Sequence, residues 1–98
     1  MKNEIESDPS QTLMLDANAA AGILQRLFGT DVTASPVQCD GCRREGMLGE
    51  ARAYMHAPGV VLRCKRCDSV MLRVVETPDA LYLEARGLTY LCLPFRQT

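Results

Sequence analysis

The chain has 98 residues, 47% apolar and 23% charged, and its 11 Lys and Arg set against 12 Asp and Glu leave a net charge of −1. That length accommodates one domain rather than two cores. The charge balance excludes a globally basic protein drawn to nucleic acid by charge alone, and no apolar run approaches the roughly 18 residues of a membrane span.

Residues 1–12 are polar and acidic, with Glu4, Glu6, Asp8 and Pro9. They lack the apolar stretch of an export signal and bury too little surface to offset their ordering entropy. They read as a flexible tail ahead of a single domain over 13–98. The expected compartment is the cytoplasm, where thiols stay reduced.

Residues 16–29 read as a helix. Asp16 is placed as its N-cap, and Ala17, Ala20, Ala21, Leu24, Leu27 and Phe28 form one apolar stripe on a 3.6-residue period. Gly29 suits the left-handed residue that ends a helix. The small residues on the stripe predict close packing against a sheet.

Beyond Pro36 the period changes to two. Met47 to Met55 reads as one alternating strand, with Ala51, Ala53 and Met55 on one face and Glu50, Arg52 and Tyr54 on the other. Ala57-Pro58-Gly59 is a turn signal. Strands follow over Val60 to Cys64, Val70 to Glu76, from Leu81, and over Leu88 to Leu93. The predicted class is α+β: a short N-terminal helix, a four-cysteine unit and additional antiparallel C-terminal strands.

The five cysteines, Cys39, Cys42, Cys64, Cys67 and Cys92, are an odd number, which argues against a closed disulfide framework. Four of them form two Cys-x-x-Cys pairs, Cys39-Asp40-Gly41-Cys42 and Cys64-Lys65-Arg66-Cys67, separated by 21 residues. Two residues between thiols let one tight turn aim both sulfurs at one ion, and amides in the turn can donate to them. Two such turns make a tetrahedral four-thiolate shell that favours one Zn2+ per chain, with iron the main competitor. A filled shell has no position for substrate, so the site is expected to be structural.

On these two pairs, the segment Met47 to Arg63 between them and the strand after them, the chain resembles the zinc-ribbon superfamily over about residues 36–77. The resemblance implies two knuckles, each at the end of a short antiparallel hairpin. Many ribbons carry Gly after the second Cys of a knuckle. Here Arg43 and Asp68 stand there, and Asp tolerates positive φ better than Arg, so the first knuckle is expected to be the less regular. The wider layout resembles small uncharacterised bacterial zinc-ribbon proteins. It is carried by Leu15-Asp16-Ala17-Asn18-Ala19-Ala20-Ala21-Gly22 and Phe28-Gly29-Thr30-Asp31-Val32-Thr33, and it brings no activity with it.

The remaining residues read conservatively. His56, the one histidine, is expected to be a solvated loop residue, because four thiolates already fill a zinc shell. Cys92 is expected to be a small buried hydrophobe. Arg43, Arg44, Lys65 and Arg66 sit on or beside the knuckles, but residues 39–75 carry only +3 before four thiolates and one Zn2+ add −2. Phosphate binding needs several uncompensated cations, so these side chains are expected mainly to balance the site's own charge. The aromatic residues are too scattered along the chain for a base-stacking platform.

No acid–base pair, activated nucleophile or phosphate-cradling loop is evident, so an enzyme is not expected. The leading expectation is a non-catalytic zinc-binding module that contacts other proteins. The alternatives are a nucleic-acid-binding ribbon and a thiol-based redox sensor. The sequence specifies no oligomeric state.

Overall fold

The computed structural model describes residues 13–56, 59–93 and 95. The expected tail over 1–12, the turn residues Ala57 and Pro58, Pro94 and the side chain of His56 lie outside the described residues. In chain order the elements are β1 (Leu13–Asp16), a 3-10 turn (Ala17–Ala20), α1 (Ala21–Phe28), β2 (Pro36–Cys39), β3 (Glu45–Met47) and a second 3-10 turn (Leu48–Glu50). Then follow β4 (Arg52–His56), β5 (Gly59–Arg63), β6 (Val70–Glu76), β7 (Leu81–Glu84) and β8 (Leu88–Leu91).

Among the described residues the strands form two antiparallel sheets. One has five strands in the order β1-β4-β5-β6-β7, the other three in the order β3-β2-β8. The class is α+β. The larger sheet buries Ala53, Val60, Leu62, Leu72 and Val74 on one face, against Ala17, Ala20 and Leu24, with Leu27 and Phe28 at the margin. Removing a Leu side chain from water contributes about 1.5–3 kcal/mol, so Leu24, Leu62 and Leu72, each fully buried, anchor this layer. Arg26 reaches from α1 to β6 and donates both guanidinium nitrogens to Glu76 at 2.8 Å. The core continues through Val37, Leu48, Ala51 and Met71 to Cys39 and Cys64, so the cysteine cluster closes one end of it.

The helix is shorter than its apolar stripe predicts. Asp16 ends β1 opposite Arg52 and so lies in the sheet, not at the start of α1. Its side chain, the expected cap, lies outside the described residues, and the Ala17 amide donates to the Ala51 carbonyl at 2.9 Å. Sheet pairing claims the groups that would start the helix, leaving a 3-10 turn and then eight α-helical residues, with Ala20 at the N-cap and no side-chain cap. The other end is as expected. Gly29 has φ 75°, and its amide donates to the Gln25 carbonyl at 2.7 Å.

The continuous strand expected from Met47 to Met55 is divided, because its two ends belong to different sheets. The chain crosses between them in the Leu48–Glu50 turn. There the Leu48 and Gly49 amides donate to Ser35 and Thr33. Strand β6 has the expected limits, Val70–Glu76, β8 falls within its own, and β5, Gly59–Arg63, starts and ends one residue earlier than expected.

Candidate metal centre

Each cysteine pair occupies the turn of a hairpin. Cys39 ends β2 and leads through the first turn into β3, while Cys64 follows β5 and leads through the second into β6. The two turns are built alike. Cys39 N–H donates to the Arg44 carbonyl at 2.9 Å and Arg43 N–H to the Cys39 carbonyl at 2.8 Å. In the second turn Cys64 N–H donates to Ser69 at 2.9 Å and Asp68 N–H to Cys64 at 2.8 Å. Arg43 has φ 69° and Asp68 φ 66°. The first knuckle is therefore as regular as the second, against expectation. Its left-handed residue is held within the turn by Asp40, to which the Arg43 guanidinium donates at 3.4 Å, and from outside it by Thr89 on β8 at 3.1 Å.

The four sulfurs of Cys39, Cys42, Cys64 and Cys67 lie within 4.8 Å of one another. Two approaches cross between the knuckles: Cys39 to Cys67 and Cys42 to Cys64, both at 3.7 Å. A tetrahedron with metal–sulfur bonds of about 2.3 Å has edges of roughly 3.8 Å, so these separations fit one zinc-sized ion. Cys39 and Cys64 are buried, Cys42 is half-buried and Cys67 is exposed.

Backbone amides and one hydroxyl converge on the sulfurs. Cys39 accepts from the Gly41 and Cys42 amides, Cys42 from Arg44 and Cys67 from Ser69. The Arg66 amide donates to Cys64 at 3.3 Å. The Ser69 hydroxyl lies 3.1 Å from Cys67 and 3.4 Å from Cys39, bridging the two knuckles. Sequence reasoning missed Ser69. Its one local sign is its place two residues after a second cysteine, where the first knuckle has Arg44.

The titration of the cluster follows from this setting. Burial opposes the Cys39 thiolate, but bonds from Ser69, the Cys42 and Gly41 amides and Cys67 outweigh it and bring the group down to about 6. At Cys42 the Arg44 amide favours the thiolate. Burial and the hydrogen bonds shared with Cys64, Cys67 and Cys39 outweigh it and push the group up to about 11. Cys67 is lowered, chiefly by the Ser69 hydroxyl and then by the Ser69 amide. One sulfur that ionises readily beside one that resists is the behaviour of thiols crowded without a counter-charge. A divalent cation among them supplies that charge and favours thiolate at every ligand.

The knuckle cations do not form one free patch. Arg43 is paired with Asp40, and Arg44 is half-buried against Glu50 at 3.2 Å. Behind them Arg63 donates to the Asp68 carbonyl at 2.8 Å and Arg52 lies 3.8 Å from the Asp68 carboxylate. Lys65 and Arg66 are exposed. Cys92, expected to be buried, is exposed. Its amide donates to the Pro36 carbonyl at 2.8 Å, so it continues the edge of the smaller sheet beyond the core.

No helix among the described residues is long and apolar enough to cross a membrane. No curated protein and no solved structure matches the chain. A family model does match, over residues 8–96, and that span includes both hairpin turns and all four clustered cysteines. The chain therefore belongs to a family of unknown function, DUF6510.

Proposed function

We propose that this is a non-catalytic zinc-binding protein of zinc-ribbon type, whose four-cysteine centre is structural and whose surface serves protein contacts. The observation that carries the reading is the pair of like-built knuckles bringing four sulfurs within 4.8 Å. The donor set is all sulfur, soft and gathered within 4.8 Å, which suits zinc in a tetrahedral shell. When bound, zinc supplies no reaction here: it cross-links two hairpins of different sheets. Four protein ligands fill the shell, which supports a role outside catalysis.

Protein rather than nucleic acid is favoured as the partner. Arg43 and Arg44 are engaged by Asp40 and Glu50 of the same chain, and the chain carries −1 overall. The outer face of the smaller sheet presents Met47 at 47% and Tyr90 at 39% exposure, with Leu93 at 47% following β8. Exposed aromatic and methionine side chains suit a protein contact.

X-ray absorption at the zinc edge of purified full-length protein tests the metal assignment. The expected spectrum has four sulfur scatterers at about 2.3 Å. Nitrogen or oxygen in the shell, or protein with no zinc, would overturn it.

A further inference from the structure

The four sulfurs are not equivalent. Two 3.7 Å approaches cross between the knuckles, Cys39 to Cys67 and Cys42 to Cys64, and they differ in the groups that hold them, while Cys42 also shares hydrogen bonds with Cys39 and Cys67. Cys39 and Cys67 share the Ser69 hydroxyl, at 3.4 and 3.1 Å. Cys39 adds the Gly41 and Cys42 amides, and Cys67 adds the Ser69 amide. In the other pair Cys64 accepts from the Arg66 amide and Cys42 from the Arg44 amide. Among the described residues no hydroxyl reaches that pair. Hydrogen bonds spread the charge of a thiolate and make it a poorer nucleophile. Access separates Cys42 from its partner, since Cys42 is half-buried and Cys64 buried. Cys67 is more open than Cys42 but carries both Ser69 bonds.

We propose that Cys42 is a modification site for hydroperoxides, with Cys64 as the resolving thiolate, and that Ser69 shields the Cys39–Cys67 pair from the same reaction. This rests on the zinc reading of the centre. The Cys42 sulfur attacks one peroxide oxygen. An S–O bond forms, the O–O bond breaks, Cys42 is oxidised to the sulfenic acid, and the departing hydroxide or alkoxide takes a proton from water. The Cys64 sulfur, 3.7 Å away, then attacks Cys42. An S–S bond forms, the S–O bond breaks, and hydroxide leaves and is protonated. Two thiolates are oxidised by two electrons in all, and one peroxide is reduced. The disulfide removes two of the four metal ligands, so the tie between the hairpins passes from the metal to one covalent S–S bond.

The test uses zinc-loaded full-length protein and less than one equivalent of hydrogen peroxide. Zinc release is followed with a chromophoric chelator, disulfides are mapped by peptide mass spectrometry, and oxidation of the exposed Cys92 is scored separately. The expected product is a Cys42–Cys64 disulfide, about fivefold or more over Cys39–Cys67, with one zinc released per disulfide. In zinc-loaded Ser69→Ala the two products should approach equal yield. Cys39–Cys67 as the main product, or a ratio unchanged in Ser69→Ala, would overturn the proposal and leave the zinc reading intact. Protein that holds no zinc before peroxide is added overturns both.

Discussion

Ser69 and Gly41 show what a single residue contributes to the metal centre. A Cβ built on Gly41 would lie 2.8 Å from the Ser69 hydroxyl oxygen and 3.5 Å from the Cys67 sulfur. Glycine in the first knuckle thus makes room for the hydroxyl that serves the second. Gly41→Ala should displace that hydroxyl and weaken zinc binding about tenfold, the low end for loss of a partner behind a metal ligand. Ser69→Ala should do the same, and the double variant should be no weaker than either single one, because both remove one interaction. Chelator competition measures all three; additive losses would show that Gly41 acts by another route. The four cysteines were legible from their spacing alone, because a two-residue turn is a local device. Ser69 was not, because its role exists only once residues 28 and 30 positions apart meet. Cys92 was misread for a related reason: its neighbours Leu91 and Leu93 suggest a core, but an edge position leaves it in solvent.

At the scale of elements, alternation located the strands where both ends lie in one sheet, as in β6, and misled where the chain changes sheets. Met47 to Met55 carries one apparent period, but a 3-10 turn divides it between two layers. The helix stripe was equally ambiguous. Ala17 and Ala20 are buried as the stripe requires, yet they lie in a 3-10 turn because β1 takes the preceding residues. The Leu13-Met14-Leu15 run is too short to show alternation, so β1 went unread. What the stripe did identify is the contact that holds α1 to the sheet. Leu24 is fully buried at its centre, and Leu24→Ala should cost about 2–5 kcal/mol, read from urea unfolding of the zinc-loaded protein. A cost below 1 kcal/mol would mean that the helix is not tied to the main core.

Across the whole molecule, the assignment of strands to two sheets was beyond the sequence, because it depends on long-range pairings such as Val37 with Leu91. The charge count was legible but the pairing was not: Arg43 and Arg44, expected mainly to balance the thiolates, pair with the carboxylates of Asp40 and Glu50. On the proposed protein partner, neither the parent chain nor the variant with Arg44 and Lys65 both replaced by Ala should bind nucleic acid in a salt-dependent assay with single- and double-stranded DNA and RNA. Tight binding at physiological salt that the double variant loses would reverse the choice of partner. The cysteine cluster sits where the core ends and where hairpins of the two sheets meet, so metal and fold should stand or fall together. Native mass spectrometry and circular dichroism of the full chain beside its Cys64→Ser and His56→Ala variants test this most directly. One zinc per chain in the parent and in His56→Ala, with both zinc and ordered structure lost in Cys64→Ser, is the predicted result; full zinc occupancy in Cys64→Ser would contradict it.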